Sequence, residues 1–380
     1  MPVIPSSSSE RRESGRETAT TAPRRRSSLR VVAIGGGTGL STLLRGLRCY
    51  APSPQTNEAD AEAVPSLISD LAAVVTVTDD GGSSGRLRRH FNMLPPGDLR
   101  NCMVALADDE ALLSRLFRHR FSSTSAAAAN GNGEETGSLE GHSFGNLFVA
   151  ALAEITGDFA QAIKLSSQVL ATRGHIYPAT TTNVTLSAHM DDGSIVEGET
   201  NITASKHRIC ELRLEPAGAE PMPETLDSIA RADLITLGPG SLYTSLITNL
   251  LVAGIPEALA RAHGLRVFIC NLMTQSNESL GLTASQHIEK IYEHMGQAIF
   301  DYALVNTAPV SETLLRNYAR EGAAPILPDI ERIEALGVRV IPGNFAAEGD
   351  TLRHNADRVA DVLLHLGLEA DLDALRGIPA

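Results

Sequence analysis

The chain has no tryptophan, and aromatic residues supply only 4% of its 380 positions, so it has little with which to stack successive bases. It also lacks a positive balance. Lys and Arg number 32 against 45 Asp and Glu, and the net charge of −13 has the wrong sign for neutralising a phosphate backbone. Nucleic acid is therefore not expected as a partner. No apolar run reaches the roughly 18–20 residues of a membrane span, and the opening MPVIPSSSSERRES has no apolar secretory core. The four cysteines, Cys49, Cys102, Cys210 and Cys270, form no CxxC pair. They read as reduced thiols, not as a disulfide framework or a zinc site. A cytoplasmic protein is the expectation, and a 43% apolar fraction is enough for a sizeable core.

What is present falls into an α/β rhythm. Residues 1–29 are rich in Ser, Thr, Arg and Glu with almost nothing to bury, and are expected to be a disordered tail. Residues 30–380 are expected to form one domain. Arg30–Ile34 is a short apolar run suited to a buried parallel strand, and Gly35-Gly-Gly-Thr-Gly39 follows it directly. Leu40, Leu43, Leu44 and Leu47 then recur at helical spacing. A second apolar run, Leu71–Thr78, leads into Asp79-Asp-Gly-Gly-Ser-Ser-Gly85, and helical patterns continue to Phe121. Residues 122–141 are of low complexity and read as a mobile insertion. Between about 179 and 216 the texture becomes antiparallel, with strands at Val184–Met190 and Ser194–Glu199 around an Asp191-Asp-Gly193 turn. Strands are expected again at Asp233–Leu237, Arg266–Cys270, Tyr302–Val305 and Val338–Ile341, with helices between them. This predicts a Rossmann-like, doubly wound, mainly parallel sheet with an inserted β-hairpin region.

Ligands of such sheets bind beyond the carboxyl ends of the strands. The residues there are Gly35–Gly39, Asp79–Gly85, Gly238–Ser241, Asn271–Gln275, Asn306-Thr307 and Pro342–Asn344. All these loops are small, polar or glycine-rich, which suits a phosphate-bearing ligand. Gly35 to Leu40 opens a helix whose N–H groups and dipole can hold phosphate. Leu40 stands at the third glycine position of the dinucleotide fingerprint, and no Walker lysine follows, so a nicotinamide cofactor with Asp79 on its ribose fits poorly. Asp79 and Asp80, followed by Arg86, could instead hold Mg²⁺ or a sugar hydroxyl. Gly238-Pro-Gly240-Ser241 is a second anion nest. His142, entering a helix with Asn146, offers a polar contact. Arg353 stands where the last helix should begin, a position that favours a nearby anion. No HExxH is present.

Several stretches, in this order, resemble the gluconeogenesis factor family (the YvcK-like proteins), related to the phospholactate transferases of deazaflavin-coenzyme synthesis. They are VVAIGGGTGLSTLLRGL, VTVTDDGGSSGRLR, PPGDLRNCMVALA, GHSFGNLFVAAL, NVTLSAHMDDGSIVEGETNI, LGPGSLYTSLITNLLVAGIPEAL and NLMTQSNESLGLTASQHI. The resemblance implies a cytoplasmic Rossmann-like protein that binds UDP-sugars and is linked to cell shape and cell-wall precursor supply during gluconeogenic growth, with no established reaction. It leaves a homodimer open and names no protein partner. Ser276-Asn-Glu-Ser279 stands where the family usually has Pro-Gly-Glu-Thr, and Thr248 where it often has proline. The nucleotide-binding candidates are Gly35, Gly36, Gly37, Thr38, Gly39, Leu40, Asp79, Asp80, Arg86, His142, Asn146, Gly238, Gly240, Ser241, Thr244, Asn271, Thr274, Gln275 and Arg353. The alternative is an Mg²⁺-dependent phospholactate-type transferase acting on a nucleotidyl diphosphate donor, with Asp79 and Asp80 on the metal.

Overall fold

The computed structural model describes residues 27–53, 66–107, 112–122, 139–275 and 278–376. Residues 1–26 of the expected tail and most of the 122–141 insertion lie outside the described residues. In chain order the strands are β1 (Leu29–Gly35), β2 (Ile68–Val75), β3 (His175–Pro178), β4 (Thr185–Met190), β5 (Ile195–Glu197), β6 (Ile209–Glu215), β7 (Leu234–Leu237), β8 (Leu265–Ile269), β9 (Tyr302–Asn306), β10 (Arg339–Gly343), β11 (Ala346–Ala347) and β12 (Arg353–His354).

The main sheet has seven strands in the order β10-β9-β8-β7-β1-β2-β3. All six pairings are parallel. β1 and β7 are buried almost throughout, as their unbroken apolar runs require. At the amino end of the sheet, two arginines clamp neighbouring strands. Arg30 donates its backbone N–H and its guanidinium to Asp233 at 2.8–3.0 Å. Arg266 does the same to Asp301 at 2.9–3.0 Å. Such bidentate pairs are geometrically specific.

The strand order matters most at its centre. From β1 the chain steps outward to β2 and then β3, and later returns to β7 on the other side of β1 before stepping outward through β8, β9 and β10. Connections on the two sides diverge, so a crevice opens between the carboxyl ends of β1 and β7. Gly35–Gly39 ends one of these strands and Gly238–Ser241 ends the other. The helix Gly37–Leu47 then packs on the sheet through Leu40, Leu43, Leu44 and Leu47. The final helix, Ala356–Arg376, crosses it closely at Gly46, where a Cβ would collide with Ala356 O.

The inserted region is a three-stranded antiparallel sheet, β5-β4-β6. Its inner residues Leu186, Ala188 and Leu212 join the main apolar cluster, as does Ile202 of the helix Glu199–Ala204.

Three expectations need correction. The strand expected over 194–199 is shorter, because Gly198, at φ 87°, turns the chain into the helix that starts at Glu199. Leu29 belongs to β1 and is fully buried, so the ordered part begins earlier than residue 30. Arg353 is not at a helix start. It pairs with Ala347 in the β11–β12 ribbon, and the last helix begins at Ala356, where Asn355 Oδ1 accepts the N–H of Arg358 at 3.1 Å. The dipole argument for Arg353 therefore fails.

Candidate functional site

A cavity of about 450 Å³ lies at the crevice between β1 and β7. Ten of the candidates line it: Gly36, Gly37, Thr38, Gly39, Gly240, Ser241, Asn271, Thr274, Gln275 and Arg353. Two glycines show why the loops can meet there. A Cβ on Gly39 would collide with Pro239 O of the facing loop. Gly37 has φ 60°, and a Cβ there would meet nothing nearer than Ser245 Oγ at 4.0 Å. Gly39 is thus needed for packing, and Gly37 for backbone conformation beside open space.

The floor of the cavity is set by paired polar groups. Asn271 Nδ2 donates to Gly240 O at 2.7 Å, and its Oδ1 accepts Gly240 N–H at 3.3 Å. Gln275 Nε2 donates to Ser241 Oγ at 2.8 Å, while its Oε1 is buried without a protein partner. The opposite wall is apolar. Leu272, Met273 and Leu352 form a small cluster of their own with Leu314, and Tyr318 packs against it. Tyr318 Oη accepts the N–H of Leu352 at 3.0 Å, tying the wall to β12. His354 also lines the cavity and faces Cys270 O at 3.1 Å; burial lowers its pKa to about 4, so the ring is neutral at pH 7. Arg353 is exposed at the rim. A polar floor with the start of the helix Gly37–Leu47, beside an apolar wall, suits a ligand with an anionic part and a flat apolar part.

The other candidates lie elsewhere. Gly35 and Leu40 are buried behind the loop, and Gly35 O accepts Asn249 Nδ2 at 3.1 Å. Gly238, at φ 95°, carries the turn out of β7. The chain then enters a π-helical turn, Leu242–Ile247, whose start is held by a carboxylate: Thr244 Oγ1 donates to Glu278 Oε1 at 2.8 Å and Tyr243 N–H to Oε2 at 3.4 Å. That helix start is therefore occupied from within the chain.

Asp79, Asp80, Arg86, His142 and Asn146 form a second assembly that does not line the cavity. Asp79 Oδ1 accepts Gly81 N–H at 3.0 Å. Asp80 Oδ1 accepts both the N–H and the hydroxyl of Thr200, at 2.9 and 2.5 Å, and so anchors the inserted region. Arg86 donates to Glu140 O at 2.6 Å. His142 Nδ1 pairs with Ser83 Oγ at 3.0 Å, and Asn146 Nδ2 donates to the same oxygen at 3.2 Å. Arg100 Nε completes the group on Asn146 Oδ1 at 3.2 Å. Burial, reinforced by the charge of Arg86, lowers the pKa of His142 and favours its neutral form.

Carboxylates crowd between the two assemblies. Burial and then the charge of Asp79 push Asp98 up to about 6. Burial and then the charges of Asp98, Asp79 and Glu278 push Glu199 up to about 9, although it accepts Thr78 Oγ1 at 3.2 Å. Among the described residues, the one trio whose ligand atoms lie within 4.8 Å of one another is the exposed Asp191, Asp192 and His207.

The profile of the family described as 2-phospho-L-lactate transferase CofD matches residues 31–346. The gluconeogenesis factor of Halalkalibacterium halodurans is 45% identical over 335 residues, covering 88% of this chain and 95% of the relative. The chain belongs to the gluconeogenesis factor family. That of Bacillus subtilis is 43% identical over 338 residues, covering 89% of this chain and 98% of the relative. Among solved structures, the X-ray crystal structure of protein BH3568 from Bacillus halodurans superposes with a TM-score of 0.79 at 43% identity, over 89% of this chain and 99% of that one. The likeness to that structure thus extends over most of this chain and is not confined to one motif.

Sequence reasoning did not select Tyr318, Leu352, Met273, Asp98, Ser83 or Glu199. Asp98 carried a usable signal, a carboxylate in the first turn of the helix Gly97–Leu106. The apolar wall carried none, because its members come from separate segments and look like ordinary core residues.

Proposed function

We propose that the protein binds a nucleoside diphosphate sugar, a UDP-sugar by preference, in the cavity between the β1 and β7 loops. It acts by binding and not by turnover, as a cytoplasmic regulator linked to cell shape and cell-wall precursor supply during gluconeogenic growth. The observation that carries this reading is the start of the helix Gly37–Leu47 at the sheet's switch point, lining a cavity that also has an apolar wall. The diphosphate would lie over Thr38, Gly39 and Gly240, with Arg353 at the rim and the base against Tyr318 and Leu352. A nicotinamide dinucleotide is disfavoured, because Leu40 is buried where the third glycine would sit and Asp79 does not line the cavity.

One observation favours a second reading. Burial holds the carboxyls of Asp98 and Glu199 above their usual range, and the charge of Asp79 adds to both shifts. Asp79 and Asp80 would hold a divalent cation, which would supply charge neutralisation for transfer from a nucleotidyl diphosphate donor, as the transferase in the matching family's description suggests. Thermal shift against UDP-N-acetylglucosamine, UDP, GDP and NAD⁺, with and without Mg²⁺, separates these readings. A ligand at about 100 times its Kd adds roughly 2.7 kcal/mol. UDP-sugars are expected to stabilise without turnover and without Mg²⁺. A shift by NAD⁺ alone contradicts the nucleotide-sugar reading, and an Mg²⁺-dependent shift with product formation supports the transferase.

A further inference from the structure

The first amide of the helix Gly37–Leu47 does not point into the cavity. Gly37 N–H donates to Asp98 Oδ2 at 2.7 Å, from a residue held at φ 60°. Asp98 belongs to the first turn of the helix Gly97–Leu106, so this bond ties together two helix starts that are 61 residues apart. The carboxylate also packs under the loop, since a Cβ on Gly36 would lie 2.9 Å from the same oxygen. The next bond along the helix is Leu40 N–H to Gly36 O at 3.3 Å. Between these two anchors the amides of Thr38 and Gly39 have no acceptor within the helix, as at any helix start, and both residues line the cavity. The direction of those two amides is therefore fixed from below by one side chain.

We propose that Asp98 is the positioning residue of the anion-binding loop: by holding Gly37 N–H it keeps Gly37 left-handed and aims the Thr38 and Gly39 amides at a bound diphosphate. This rests on the nucleotide reading for its ligand but not for its geometry. The role needs an acceptor atom and not a charge. Asparagine supplies the acceptor; alanine supplies neither acceptor nor charge. Asp98 acts through the loop and does not itself touch the ligand.

Two measurements on the full chain test this. Titration with inorganic pyrophosphate and with UDP should give affinities for Asp98→Asn within about threefold of wild type, and for Asp98→Ala at least about tenfold weaker, the worth of one hydrogen bond to a charged group. Amide hydrogen exchange should show Gly37 protected in wild type and Asp98→Asn and fast in Asp98→Ala. An asparagine variant as weak as alanine would overturn the proposal in favour of a role for the charge itself. An alanine variant that binds like wild type would overturn it outright. If alanine prevents folding, a wild-type Gly37 amide that exchanges as fast as that of Thr38 would still overturn it. Failure of wild type to bind either anion would refute the nucleotide reading, and the exchange pattern would then decide the role of Asp98 separately.

Discussion

Two glycine-rich turns follow neighbouring strands of the same sheet, and their surroundings are opposite. After β1, Gly37, Thr38 and Gly39 stand at the edge of a cavity with free space over Gly37. After β2, the Asp79–Gly85 turn is folded into the protein. A Cβ on Gly85 would collide with Asp80 O, Ser83 is buried against His142 and Asn146, and Asp80 is engaged by Thr200. The first turn presents neutral donors; the second presents two carboxylates, Asp79 and Asp80, held by Gly81 N–H and Thr200. Glycine serves two needs here. Both needs are met in each turn: Gly37 and Gly82 have positive φ beside open space, while Gly39 and Gly85 let backbone meet backbone.

The largest effect that could break this contrast comes from two substitutions in the first turn. Gly39→Val drives a side chain into Pro239 O, so we expect a stability loss of about 1–3 kcal/mol together with loss of UDP-sugar binding. Gly37→Val meets only the left-handed strain of about 1–2 kcal/mol, so it should stay folded and still lose the ligand. Chemical denaturation and calorimetry check both, and equal affinities in Gly37→Val and wild type would make the first turn as structural as the second.

Next in size is Arg353→Ala. Arg353 is exposed at the rim of the cavity, so the apo protein should keep its melting temperature while UDP-sugar affinity falls by roughly 1.5–3 kcal/mol. An unchanged affinity would place the anion away from β12.

The acidic side of the comparison has a pH signature. Glu199 is raised to about 9 in the folded protein, so between pH 7 and 9 the native state keeps a proton that the unfolded chain has lost. Stability should fall as pH rises through that window, by at most about 1.4 kcal/mol per pH unit. The buried histidines His142, His287 and His354 have lowered pKa values and are neutral in both states there, so they do not mask the slope. Glu199→Gln should flatten the curve in urea titrations; an unaltered slope would show that Glu199 does not keep its proton in the folded protein. The smallest effect is expected from removing residues 1–26, which should alter neither melting temperature nor affinity. A cut that also takes Leu29 should destabilise, because that side chain is fully buried.

Much of the frame was legible because it is written locally. An apolar strand, a glycine turn and a helical repeat of Leu40, Leu43, Leu44 and Leu47 follow one another without a gap. The turn after β7 repeats the same grammar. β3 was not legible: it is four residues long, ends in proline, and becomes a strand only by pairing with Ala72–Val75 of β2. The ribbon of β11 and β12 is shorter still, which is why Arg353 read as a helix start. The contacts that shape the site are also distant in sequence. Asp98 meets Gly37 across 61 residues, and Glu199 meets Thr78 across 121. No local pattern announces such pairs. His142 and Asn146 were singled out as nucleotide-binding candidates; both meet Ser83, and neither lines the cavity.

The most direct test of the account is a crystal structure of the protein soaked with a UDP-sugar. The account predicts the diphosphate within hydrogen-bond distance of the Thr38 and Gly39 amides, with the base against Tyr318 and Leu352. A diphosphate seated instead among Asp79, Ser83 and His142, with the β1 turn untouched, would contradict it.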